Sequence, residues 1–380
     1  MKRNWAIATF VLTLLAAPIL AKTLVHAPLP APLPKGESVG DFRQSWRVLV
    51  PISRRNLTIY PVVTNLAADT SGFITLDEGT ASGQVRIVER GQLESSMVRR
   101  RDSRRWPEEP RQSSAGASVN ELVLVNDSPK PLLLLAGEVI SGGKQNRIIG
   151  ADVIVPPKGE PMPLTVFCVE HGRWSEARSG FGSVGAIAHP EIRKEAQANK
   201  SQQGVWNSVA RSAAGMGAAS PTADYKHVLE SPKAKAQVDE AARVMQSDYE
   251  RELREQLKVG SSVGVVVAIN GEIVWSDIFP TADLFRRYWP KLLRSYIMEA
   301  ESRGSGEAAP WSRKLSSAPT VKQAESFLLD DQGRVTIKLE PAAFRRTEIE
   351  GGKYQIVALE TVNKAEEIGL MLHYNKMTRG

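Results

Sequence analysis

Val263-Gly264-Val265-Val266-Val267-Ala268-Ile269-Asn270-Gly271-Glu272-Ile273-Val274-Trp275-Ser276-Asp277-Ile278 is two apolar runs joined by Asn-Gly. Asn-Gly is the preferred pair for a two-residue turn that needs positive φ at both positions. The stretch therefore predicts a buried antiparallel hairpin, Val263 to Ile269 against Glu272 to Ile278. Outward from it, Ala234 to Leu257 carries an apolar stripe at Val238, Ala241, Ala242, Met245, Tyr249, Leu253 and Leu257. That spacing predicts an amphipathic surface helix. On the other side, Leu284 to Glu299 predicts a helix kinked at Pro290. Residues 302–318 form a loose stretch, and strands are expected at Val335–Leu339, Tyr354–Glu360 and Ile368–Tyr374.

Towards the N-terminus, strands are expected at Arg47–Ile52, Leu57–Val63, Gln84–Glu89 and Val119–Val125. More follow at Leu132–Ile140, Ile148–Val155 and Leu164–Val169. Thr75-Leu76-Asp77-Glu78 is a capping box that starts a short helix. Gly172 to Asp224 reads as loop-rich, with helices near Glu191–Gln197 and Trp206. Strand runs mixed with a few helices, without regular alternation, give an α+β fold. The expectation is a mixed or antiparallel sheet core in a single large domain.

The first residues read differently. Lys2 and Arg3 precede an uncharged apolar run from Trp5 to Leu20, and Ala21 offers a small residue for cleavage. This is the pattern of a secretory signal peptide, residues 1–21. It predicts a periplasmic or secreted protein, a retained anchor being the alternative. Residues 22–39 read as a Pro-rich spacer, through Pro28-Leu29-Pro30-Ala31-Pro32-Leu33-Pro34. Removing residues 1–21 takes away Lys2 and Arg3 and no acids, so the formal charge falls from +7 to +5. That excess does not call for nucleic acid. No later stretch is long and apolar enough to span a bilayer. Cys168 is the one cysteine, which excludes an internal disulfide and a multi-cysteine zinc site. The histidines show no metal-ligand spacing, and no metal or cofactor is expected. Residues 99–118 hold Arg99, Arg100, Arg101, Arg104 and Arg105, either an anion-binding arm or a solvated loop.

The candidate chemistry lies between residues 137 and 174. Glu138 follows a strongly apolar run, where a carboxyl's pKa rises towards that of a neutral-pH acid or base. The alternative is a turn cap or a pairing with Lys144 or Arg147. Gly142 and Gly143 would let backbone approach a ligand, with Lys144, Gln145, Asn146 and Arg147 gripping phosphate and hydroxyls. A polar turn satisfying its own backbone is the alternative. Glu170, Arg173 and Trp174 would form a second wall if their strand neighbours that of Glu138; otherwise they are a structural pair under a packed Trp. Arg178 to Gly185 reads as a flexible Gly-Ser loop. Cys168 reads as a buried small hydrophobe.

Gly137-Glu138-Val139-Ile140-Ser141-Gly142-Gly143-Lys144-Gln145-Asn146-Arg147, then Cys168-Val169-Glu170-His171-Gly172-Arg173-Trp174, then Asp277-Ile278-Phe279 and a helix with Trp289, Leu292, Leu293 and Tyr296 resembles the ARG and rhodanese-phosphatase-superfamily-associated protein domain family. The likeness spans about residues 40–376. The family's association with ADP-ribosylglycohydrolase and rhodanese-phosphatase domains implies NAD-linked chemistry. The expected ligand is ADP-ribose-like or another phosphorylated, nucleotide-like small molecule, bound or hydrolysed. A non-enzymatic cell-envelope scaffold is the competing expectation.

Overall fold

The computed structural model describes residues 43–90, 121–172, 180–257, 262–304, 317–340, 344–362 and 368–379. The expected signal peptide, the Pro-rich spacer and the arginine-rich insertion lie outside them. β1 (Arg47–Val48), β2 (Ile52–Arg54) and β3 (Leu57–Val63) come first. β4 (Ile74–Thr75) runs into α1 (Leu76–Ala81). Then follow β5 (Val85–Glu89), β6 (Glu121–Asn126), β7 (Leu132–Leu134), β8 (Glu138–Gly142), β9 (Arg147–Ile149), β10 (Val153–Val155), β11 (Met162–Cys168) and β12 (Phe181–Ile187). Helices α2 (Pro190–Gln197), α3 (Gln202–Met216), α4 (Tyr225–Glu230) and α5 (Pro232–Leu257) precede β13 (Gly264–Ile269) and β14 (Glu272–Ile278). After α6 (Ala282–Gly304) and α7 (Val321–Leu329) the chain closes with β15 (Arg334–Glu340), β16 (Phe344–Glu350), β17 (Tyr354–Val362) and β18 (Ile368–Thr378).

The hairpin forms as its sequence demands: Asn270 and Gly271 take φ of 54° and 81°, the two positive values of a type I′ turn. β13 and β14 sit inside a large antiparallel sheet ordered β1-β3-β13-β14-β18-β17-β16-β15, with β2 also on β3. All of β3 and β13 is buried, so both faces of the sheet centre are covered. α6 packs on β3 and β13, and α7 on β1 and β14. A second sheet, β10-β7-β4, is mixed. The third closes into a barrel, β11-β6-β5-β12-β8-β9, which leaves those strands without edges. The whole is an α+β fold with antiparallel and mixed sheets and seven helices among the described residues.

Three expectations change. Leu132–Ile140 is not one strand. Gly137, at φ +91°, turns the chain where an L side chain is disfavoured. The Glu138 carboxylate accepts the Leu135 N–H at 2.8 Å, which locks the turn. β7 joins the small sheet and β8 the barrel, so Glu138 begins a strand rather than ending one. Secondly, the glycine-rich run after Gly180 is β12, not a loop. On the facing strand end, Gly142 and Gly143 allow backbone and the Phe181 ring to press together. A Cβ on Gly142 would strike the Gly180 carbonyl, and one on Gly143 the Phe181 ring. Those glycines serve strand packing rather than ligand approach. Thirdly, two expected strands split: Arg47–Ile52 into β1 and the start of β2, and Ile148–Val155 into β9 of the barrel and β10 of the small sheet. α6 runs through Pro290 as one helix.

Candidate functional site

The rim of the barrel gathers most of the residues singled out above. The connection from β8 to β9 carries Lys144, Gln145 and Asn146, and Arg147 opens β9 opposite Ile140 and Cys168. Gln145, Asn146, Arg147 and Glu170 are all buried, at 0%, 4%, 1% and 3% exposure. The Asn146 backbone N–H donates to Glu170 Oε2 at 3.0 Å, and its side-chain amide to Asp224 Oδ1 at 3.0 Å. Asp224 caps α4 through the Lys226 N–H. Burial pushes the Asp224 carboxyl above its usual range and the Glu170 charge adds to that, while the Asn146 amide opposes it. Gln202, entering α3, clasps the Cys168 backbone with two 2.8 Å bonds. Gln145 Nε2 reaches the His171 carbonyl at 3.5 Å. Two acceptors are left at the rim: Gln145 Oε1 and Asn146 Oδ1 are buried without a hydrogen-bond partner among the described residues. The half-buried Lys144 donates its backbone N–H to Glu89 Oε1 at 3.4 Å. Arg173 and Trp174 lie outside the described residues. Burial pushes the Cys168 thiol up, against the pull of Arg147, so thiolate is scarce there.

Glu138 stands apart from this rim. β9 separates its strand from β11, so Glu170 and Glu138 are not on neighbouring strands. Its partner is Lys291 of α6, not Lys144 or Arg147. Lys291 also donates to Asp77 Oδ2 at 2.8 Å, and Ser183 donates to Asp77 Oδ1 at 2.5 Å. The ammonium lies over the Tyr288 ring, 4.7 Å from its centroid. One cation thus serves two carboxylates. Burial would lower the Lys291 pKa, but Glu138 and Asp77 outweigh it and hold it up. Burial keeps Glu138 raised in spite of Lys291.

A further buried charge cluster centres on Asp277, and its partners come from distant parts of the sequence. Arg193 of α2 grips Asp277 of β14 with two bonds of 2.8 and 2.9 Å. Asp277 also accepts from Trp275 Nε1 at 2.9 Å, Tyr296 OH at 2.5 Å and Asn375 Nδ2 at 2.9 Å. His373 of β18 lies between Asp277 (Nε2, 3.1 Å) and Asp152 (Nδ1, 2.6 Å). With a carboxylate on each ring nitrogen, the imidazole carries both protons. Asp152 in turn accepts the Ala136 N–H at 2.7 Å, so the chain of charges ties the turn before β8 to the centre of the large sheet. Asp277 beside Trp275 in an apolar strand was the one available signal, since a buried carboxylate demands partners. A second buried pair joins His189 Nδ1 to Glu299. Burial would raise Glu299, but His189 and Arg303 hold it at about 2. A cleft of about 150 Å³ lies elsewhere, between the β2–β3 turn, α5 and α6. Among the described residues no group of three or more potential ligands is placed to hold a metal ion, and no helix is long and apolar enough to cross a membrane.

The profile of the ARG and Rhodanese-Phosphatase-superfamily-associated Protein domain matches residues 45–363. The chain belongs to this family. The family's name records an association with rhodanese-phosphatase-superfamily proteins. The family's span takes in the barrel, the whole rim, Glu138 and Lys291, and it stops short of His373 and Asn375. No curated protein and no solved structure matches the chain.

Proposed function

We propose that this chain is an exported ligand-binding domain whose barrel rim takes an ADP-ribose-like or other phosphorylated small molecule. One observation carries the proposal: Gln145 Oε1 and Asn146 Oδ1 are adjacent buried acceptors with no donor among the described residues. An unmet buried acceptor costs roughly 1–3 kcal/mol, which a ligand hydroxyl or amine would recover. Arg147 and Lys144 supply positive charge beside them, suited to a phosphate. Burial raises the Glu138 carboxyl above its usual range, the direction that suits a general acid. Its bond to Lys291 and its distance along the barrel from the rim favour binding over turnover by Glu138. Lys2, Arg3, the apolar run and Ala21 support export, with Lys22 as the mature N-terminus. Thermal-shift and calorimetric titrations with ADP-ribose, ribose 5-phosphate and inorganic phosphate test the site. Binding by at least one, lost in Gln145→Ala/Asn146→Ala while circular dichroism shows that variant still folded, supports it. No shift with any of them overturns it.

A second reading has its own observation. Glu138, Arg147, Glu170, Arg193 and Asp277 are all buried among protein groups, as in a non-enzymatic envelope scaffold. An absence of ligand binding together with loss of folding in those variants would favour it.

A further inference from the structure

β15 ends the large sheet, and its sequence is Arg334-Val335-Thr336-Ile337-Lys338-Leu339-Glu340. Alternation puts Val335, Ile337 and Leu339 on one face. They are 55%, 55% and 66% exposed. A seven-residue edge strand with an open apolar face is a template for pairing with another strand. Its order is also self-complementary. Two copies laid antiparallel and centred on Ile337 set Arg334 against Glu340, Val335 against Leu339, Thr336 against Lys338, and Ile337 against itself. Opposite charges meet, the apolar triplets lie side by side, and the same residues serve both copies, as a two-fold interface requires. Other registers fail. Centred on Thr336, Arg334 faces Lys338; centred on Lys338, that lysine faces itself. A one-residue shift sets apolar side chains against polar ones. Within the chain Arg334 already bonds Glu350 across the ladder, and Arg346 bonds Glu340. Pairing would extend these into a ladder of alternating charge running through both copies.

We propose that β15 is a homodimerisation edge, joining two copies of this chain antiparallel about Ile337 into one continuous sheet. A strand pair of this length buries little area beside the roughly 1,200–2,000 Å² of stable complexes, so the dimer is concentration-dependent. Sedimentation velocity over a concentration series, on the mature chain, reads it directly. The wild type should move from monomer to dimer as concentration rises. Ile337→Lys, at an exposed position, should weaken association by at least about tenfold with the circular dichroism and melting temperature unchanged. Ile337→Cys should cross-link to a covalent dimer on mild oxidation, and Val335→Cys alone should not, because Val335 faces Leu339. A wild type that stays monomeric throughout overturns the proposal. So does an Ile337→Lys dimer as tight as the wild type, or cross-linking through Val335→Cys in preference to Ile337→Cys.

Discussion

At the scale of single residues, Asp277 shows what an uncompensated charge would cost. It neutralises Arg193 and His373 where none of the three meets water. Asp277→Asn keeps the shape and removes the charge, leaving two buried cations with one carboxylate, Asp152. Breaking such a pair costs roughly 3–5 kcal/mol, and urea unfolding should show that loss. Asp283→Asn, in an exposed pair with Arg286, should stay within about 0.5 kcal/mol of the wild type. His373 adds a pH dependence. Burial alone would lower its pKa, but Asp152 and Asp277 raise it to about 9. Its stabilising contribution is therefore complete below the unfolded value of about 6.5 and lost as pH rises through about 9. Melting temperatures across pH 6 to 10 should fall over that window, and His373→Asn, less stable overall, should flatten the fall.

At the scale of elements, the turn at Gly137 governs how the barrel meets the large sheet. A Cβ there would adopt φ +91° and lie 2.5 Å from Arg193 Cγ, pushing the guanidinium off Asp277. Gly137→Ala should lower the melting temperature well beyond Gly72→Ala, where the space is open. A melting temperature equal to that of Gly72→Ala would show that Arg193 is not held there. The same turn marks where the sequence is hard to read. Leu132 to Ala136 and Val139-Ile140 are apolar on either side of it, so no periodicity betrays a break; only the Gly137-Glu138 pair hints at it. β12 was hidden for the opposite reason, because Gly180, Gly182 and Gly185 give it the composition of a loop. β16, Phe-Arg-Arg-Thr-Glu-Ile-Glu, was missed because its charges pair across the ribbon to β15 and β17. α7 has a legible start in Thr320 and Gln323, whose capping box forms. The hairpin of β13 and β14, the helix α5 and the α1 cap were legible because turn chemistry and helical period act locally. The rim's Asn146, Arg147 and Glu170 were legible as a group. The partners of Glu138 and Asp277 were not, since Lys291 and Arg193 come from distant helices.

At the scale of the molecule, one apolar core runs from the large sheet through α2, α3, α5 and α6 to barrel residues such as Val139, Ile148 and Val169. A smaller core fills the barrel itself around Ile87, Leu124, Ile140 and Leu164. Because barrel residues line both, the two should melt together. Scanning calorimetry should give one transition with equal calorimetric and van't Hoff enthalpies; two resolved peaks would count against it. Cys168 sits where barrel, α3 and rim meet, and it is the chain's one thiol. A thiol reagent cannot reach it until that junction parts. The rate of its labelling is thus a built-in clock for how often the closed molecule opens, readable without adding a probe, and any compound that occupies the rim should slow that clock.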